Sequence, residues 1–161
     1  MEYRTSDVIV HLLRRRLMKP AKLMLLTFLA QYDVDGGVVY EYRYGGRPLA
    51  RAEFYLWTHG PVSDEVYDAL NALSPDLIST ELGLMMTWPG PPPHLPEPVA
   101  ARLDEVAAKY GGWKPWQLER RVKEMLGLDI PEKMSDYMGW LLHSYLRAEG
   151  YVLKHKILEK L

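Results

Sequence analysis

The chain has 161 residues, 48% of them hydrophobic and 25% charged, with 20 Lys and Arg against 21 Asp and Glu for a formal net charge of −1. Those proportions describe one globular domain with a sizeable core; they exclude disorder, collagen-like repetition and a strongly basic nucleic-acid binder, so any basic surface must be local. With no Cys in the chain, disulfide frameworks, thiol nucleophiles and thiolate zinc sites fall away, and only His and carboxylates remain as metal ligands.

In chain order, Thr5 or Ser6 can cap a helix over about 6–18 whose Val8, Ile9, Leu12 and Leu13 share one face. Lys19-Pro20 reads as a break, because proline suits a first helical turn and disrupts an interior. The helix that follows is apolar on nearly all sides, through Leu23, Met24, Leu25, Leu26, Phe28 and Leu29, as a core helix must be. Its longest apolar run, Leu23 to Ala30, is far shorter than the ~20 residues that cross a bilayer, and Met1 to Asp7 is too polar for a signal peptide. A soluble, cytoplasmic protein without membrane association is expected.

Asp33-Val34-Asp35-Gly36-Gly37 reads as a turn, followed by a strand or short hairpin at Val38 to Tyr44. After Trp57-Thr58-His59-Gly60-Pro61, Ser63 can cap a helix with Asp64 and Glu65 in its first turn and a stripe of Val66, Tyr67, Leu70 and Leu73. Leu77 to Thr80 and Leu84 to Trp88 make a second hairpin. Six of the 12 prolines fall between Pro89 and Pro98, an extended connector with Pro-x-x-Pro spacings that suit a rigid spacer or an SH3-type ligand. Beyond it, Val99, Leu103, Val106 and Tyr110 mark one helix, Leu118, Val122, Met125 and Leu126 a second, and Met134, Tyr137, Met138, Leu141, Leu142 and Tyr145 a last long helix closed by Gly150. Tyr151 to Lys156 is a short strand or a further helical turn. The expected architecture is therefore a single α+β domain over 1–161. It is predominantly α-helical with one or two small hairpins, and divides into 1–88, a connector at 89–98 and a helical part at 99–161.

Catalytic signatures are missing from the sequence. His11, His59, His94, His143 and His155 lie singly, without the i, i+3 or i, i+4 spacing that places two ligands on one helical face. No nucleophile elbow, Walker loop or dinucleotide fingerprint occurs, and the Asp64/Glu65 and Asp104/Glu105 pairs suit helix starts or polar faces. A non-enzymatic protein without metal or cofactor is the expectation. Arg14, Arg15, Arg16, Lys19 and Lys22 form the densest basic cluster, which either complements a helix C-terminus or grips phosphates. Arg16 falls on or beside the apolar face, where it pairs with a carboxylate or meets a partner. Five Trp and 11 Tyr against two Phe favour rings with a polar handle, a bias common at interfaces. Trp113 and Trp116 flank a helix start, as a hydrophobic staple or a docking patch.

Three blocks carry a family resemblance: Lys22-Leu23-Met24-Leu25-Leu26-Thr27-Phe28-Leu29-Ala30, Gly46-Arg47-Pro48-Leu49, and Trp57-Thr58-His59-Gly60-Pro61-Val62 with Tyr67 downstream. Together with Tyr110-Gly111 and Glu119 in the second half, they resemble the Panacea domain, an antitoxin-associated module, over roughly residues 6–126. Met24 and Leu25 stand where that pattern has Gln-Lys, and residues 131–161 lie outside it. The resemblance implies a small, mostly helical protein without catalytic chemistry that neutralises a partner protein, in that family a toxin, or delivers it to a protease. The surface expected to meet that partner is Tyr55, Trp57, His59 and Tyr67 around Gly60-Pro61, with Trp113 and Trp116 as a second patch; a homo-oligomer is compatible with it. The competing expectation is a DNA-binding regulator, since three helices followed by a hairpin have winged-helix order. Its third helix, however, carries Asp64, Glu65 and Asp68 and no Lys or Arg, so Arg14 to Lys22, or Arg120, Arg121 and Lys123, would have to hold the phosphates. Absence of Cys and a proline-dense connector are compatible with a thermophilic source.

Overall fold

The structure, a computed structural model, describes residues 2–87 and 92–160. It is a helix-dominated α+β fold. Helix α1 (Thr5–Arg15) ends at Arg16, and α2 (Pro20–Gln31) restarts with proline in its first turn. Leu23 to Ala30 are all buried, which makes α2 the centre of the core. Burying its polar side chains requires partners: Thr27 Oγ1 donates to the Leu23 carbonyl at 2.8 Å, and the Gln31 amide bonds both Ala50 N–H and Ala52 C=O.

Chain expected to turn after α2 instead runs straight into a strand, β1 (Tyr32–Asp35), paired antiparallel with β2 (Val38–Tyr44) around Gly36, whose φ is +60°. Tyr32-Asp33-Val34-Asp35 alternates inward and outward: Tyr32 is buried with its ring stacked on Phe28, and Val34 packs on the core. That period-two pattern outweighs the turn-forming Asp residues, leaving only Gly36-Gly37 to turn. Strand β3 (Arg47–Pro48) continues the same edge of β2, and β8 (Val152–Ile157) lies parallel along its other edge, from Val38↔Val152 to Arg43↔Ile157. The last segment is thus a strand completing a four-stranded sheet.

Strands β4 (Tyr55–Trp57) and β5 (Gly60–Val62) form a tight hairpin that leads into α3 (Asp64–Leu73), capped by Ser63 Oγ accepting from Val66 N–H. Hairpin β6 (Leu77–Thr80) with β7 (Gly83–Met86) follows and docks through Leu84 N–H on the Met18 carbonyl. Trp88 to Pro91 lie outside the described residues; residues 92–96 have no regular structure, and Pro98 belongs to α4 (Glu97–Tyr110) rather than to the connector. Helix α5 (Pro115–Met125) packs on α2.

The long helix expected after Pro131 is two short ones, α6 (Pro131–Asp136) and α7 (Leu142–Ala148). Between them Gly139 adopts φ +85°, and Gly139, Trp140 and Leu142 hydrogen-bond the backbone of Phe54 and Leu56. Sheet-like pairing with β4 competes with the helix there, and a glycine that pays maximal backbone entropy in a helix lets it win. Met138 and Leu141, counted in the apolar stripe, are consequently exposed. One core cluster extends from Tyr3 to Leu158 and takes side chains from both sides of the connector.

Candidate functional site

Residues from four elements, among them the sequence-predicted Trp57, His59, Pro61, Tyr67 and Trp116, converge on one apolar groove of about 430 Å³. Its floor is the first half of α2, with Pro20, Ala21, Met24 and Leu25; the β4–β5 hairpin gives Trp57, His59 and Pro61, α3 gives Tyr67, and α5 gives Pro115, Trp116 and Glu119. The hairpin reaches α2 because Gly60, at φ +110°, sits where a Cβ would already touch the Leu25 side chain. Its tip is pinned to α5: His59 Nδ1 lies 2.9 Å from Glu119 Oε1, and Lys123 Nζ donates both to Glu119 and to the Thr58 carbonyl. Three large rings remain open to solvent in this groove, Trp57 at 51%, Tyr67 at 45% and Trp116 at 59% exposure. Isolated exposed apolar residues are ordinary, whereas here three half-exposed aromatic rings share one concave surface.

The expected site divides differently from its sequence grouping. Trp116 joins Trp57, whereas Trp113 stands apart, edge-on to Tyr110 and beside Arg16, Lys19 and Lys22 in a shallow depression. Tyr55 does not line the groove; its hydroxyl donates to Asp64 Oδ1 at 3.0 Å, tying β4 to the start of α3.

Much of the basic cluster is engaged in structure. Arg16 Nη1 and Lys22 Nζ both donate to the Gly111 carbonyl, at the C-terminus of α4, where the helix dipole favours cations. Of the two roles expected for Arg16, a carboxylate pair or a partner contact, the structure shows neither: its guanidinium donates to a backbone carbonyl. Burial first, then the Arg16 charge, pushes the Lys22 amine below its ordinary range. Arg15 pairs with Asp104 at 2.9 Å, which also contacts His11 at 2.7 Å, so these cations hold α4 against α1. Arg14 lies beside Arg15 and Arg16 on a second shallow depression with Met85 and Met86.

A second concave site was not foreseen from sequence. A polar cleft of about 360 Å³ opens between β2, β3, the start of α3 and the start of α7. At its floor Glu41 is fully buried and accepts from Tyr32 Oη at 2.8 Å and Arg43 Nη1 at 2.5 Å, with His143 Nε2 at 3.0 Å and His155 Nε2 at 3.9 Å. Burial alone would raise the Glu41 carboxyl, but hydrogen bonds from His143, Tyr32 and Arg43 outweigh it and hold the group down at about 2. Burial, reinforced by the Glu41 charge, pushes the Tyr32 phenol well above its usual range. A carboxylate this acidic is a poor base and such a phenol a poor acid, since proton transfer is best served by groups titrating near the working pH. No signal in the sequence brings Tyr32, Glu41, His143 and His155 together, because the last two arrive only when α7 and β8 close on β2. Among the described residues no group of three or more His, Asp or Glu side chains is arranged to hold a metal ion, and no helix is long and apolar enough to cross a membrane. Comparison with protein-family models, with curated proteins and with solved structures gives no match for this chain.

Proposed function

We propose that the chain is a non-enzymatic protein-binding module of antitoxin type, which takes up an apolar segment of a partner protein in the groove between α2, the β4–β5 hairpin, α3 and α5. The observation that carries this reading is the convergence of Trp57, Tyr67 and Trp116, all about half exposed, on one concave apolar surface. Aromatic anchors in a groove supply large contact area at low entropic cost and dominate protein interfaces. Around Tyr67, the α3 residue in the groove, the helix carries Asp64 three positions before and Asp68 one after, and it has no Lys or Arg over its ten residues. The complementary segment has large apolar side chains flanked by Lys or Arg on the α3 side. That the partner is a toxin rests on the resemblance of Lys22 to Ala30, Gly46 to Leu49 and Trp57 to Val62 to the Panacea domain. Both the Glu41 carboxylate and the Tyr32 phenol titrate far from neutrality, in keeping with binding rather than catalysis.

The test is selection from a random peptide library displayed against the full chain, with a Trp57→Ala/Trp116→Ala protein as counter-target. Selected sequences should combine two or more large apolar residues with neighbouring Lys or Arg and bind the double variant at least tenfold more weakly, while its thermal unfolding stays unchanged. Peptides that bind both proteins equally would overturn the reading. So would concentration-dependent dimerisation that the double variant abolishes, because the occupant would then be a second copy.

A further inference from the structure

We infer that the Glu41 cleft is a separate binding site for a small zwitterion, an α-amino acid or a dipeptide, held by its carboxylate at one end and its ammonium at the other. The cleft and the aromatic groove have no lining residue in common, and neither reading depends on the other.

Both signs of charge line the cleft. Arg43, Arg47 and Arg51 gather around the β2–β3 turn: Arg43 Nη2 donates to Gly46 O at 2.6 Å, and Arg51 Nη1 donates to Tyr44 O and Pro48 O at 2.7 and 3.0 Å. Glu53 and Glu65 line the same cleft and lie together, Glu65 Oε1 accepting the Glu53 backbone N–H at 2.6 Å. The Arg43 charge is already matched by Glu41. Arg47 is paired at 3.5 Å with Glu2, itself 83% exposed, and Arg51 donates to backbone carbonyls; an incoming carboxylate can replace the long, exposed Glu2 contact, while Glu53 and Glu65 face a cation. A plain anion would meet the two carboxylates and a plain cation the two arginines, whereas a ligand carrying both charges satisfies both.

Several groups are fixed before any ligand arrives. Arg51 is the one non-glycine residue among those described with a left-handed backbone, at φ +55°. Its guanidinium lies 4.0 Å over the Tyr3 ring, and among the described residues its buried Nε has no hydrogen-bond partner. Backbone strain and an orphaned buried donor on one side chain are features that folding alone does not favour, and they concentrate at binding sites. Glu41, saturated by Tyr32, Arg43 and His143, locks the floor. Leu141, exposed at the cleft, offers apolar surface to the ligand's body with the buried Ala52 and Phe54 behind the lining, and about 360 Å³ is the small end of the ~300–1,000 Å³ range of ligand sites.

The experiment titrates the ¹⁵N-labelled full chain with the twenty common L-amino acids and their glycyl dipeptides, each to 10 mM on the order of weak-ligand affinities. Free amino acids and dipeptides are thereby distinguished by which series binds. For the best binder, the N-acetyl and C-amide derivatives each delete one charge, and inorganic phosphate serves as a plain anion. The expected result is saturable shifts of the Glu53, Phe54, Glu65 and His143 amides, with at least tenfold weaker binding of both derivatives. Arg47→Ala and Glu53→Gln, at exposed positions that leave the fold intact, should each weaken binding at least fivefold without moving the peptide affinity of the aromatic groove. No saturable shift from any member, equal binding of the N-acetyl derivative or of phosphate, or indifference to both substitutions would overturn the inference.

Discussion

Acid should weaken this protein specifically through Glu41. In the folded chain its carboxyl is held at about 2 against an ordinary value of 4.5. Because the folded value is the lower one, the ionised carboxylate contributes stability that is fully present above about pH 5 and lost as the pH falls toward 2. Each pH unit of that displacement is worth about 1.4 kcal/mol, so the contribution is about 3 kcal/mol. Glu41→Gln keeps the volume and removes the titration. Arg43, with a side chain only 21% exposed, then loses its ion-pair partner, and the variant should be about 3 kcal/mol less stable at pH 7. Urea unfolding followed by circular dichroism from pH 7 to pH 2.5 measures both proteins. Other carboxylates give a common acid slope, so the informative quantity is the difference between the two curves. That difference should shrink from about 3 kcal/mol to below about 1 kcal/mol across the window. Two curves that stay parallel would refute the claim that Tyr32, Arg43 and His143 stabilise an ionised Glu41.

Three further outcomes follow from local geometry. Gly83→Ala would place a Cβ 2.3 Å from the Met18 carbonyl carbon at φ +134°, so the β6–β7 hairpin should leave α1–α2 at a loss of about 2 kcal/mol or more, read as rapid hydrogen exchange at the Leu84 amide. Ser63→Ala removes the buried hydroxyl that caps α3 and should lower stability by about 1 kcal/mol, visible as a lower melting temperature; an unchanged melt would mean that the cap bond contributes nothing. Lys22→Met keeps the apolar stem while Arg16 still serves the Gly111 carbonyl, so stability should change by less than about 1 kcal/mol in urea titrations at pH 7.

Local signals in the sequence located most elements. Pro20, Ser63, Pro115 and Pro131 mark helix starts by their own stereochemistry, and the uniformly apolar Leu23 to Ala30 could only be a buried helix. The failures share one physical cause, which is backbone pairing with another segment, near or far in the chain. Asp33 to Asp35 became a strand because Val38 to Glu41 is there to pair with it, and Met138 to Leu141 left the helical pattern because Phe54 to Leu56 offers backbone partners.

The same distinction separates the two sites. Trp57, His59, Pro61 and Tyr67 are close in sequence, so a local cluster of rings points to one side of the groove, while α5 brings Pro115, Trp116 and Glu119 to the other from about 50 residues along the chain. Glu41 stands among Tyr and Val in a strand and reads as an outward-facing residue until β8 covers the far edge of β2 and α7 brings His143 onto it. A charged side chain is almost never fully buried unless it is paired, yet that burial is set by residues 102 and 114 positions further along the chain. The C-terminal segment, which the family resemblance leaves out, is therefore what turns a strand glutamate into the floor of a cleft.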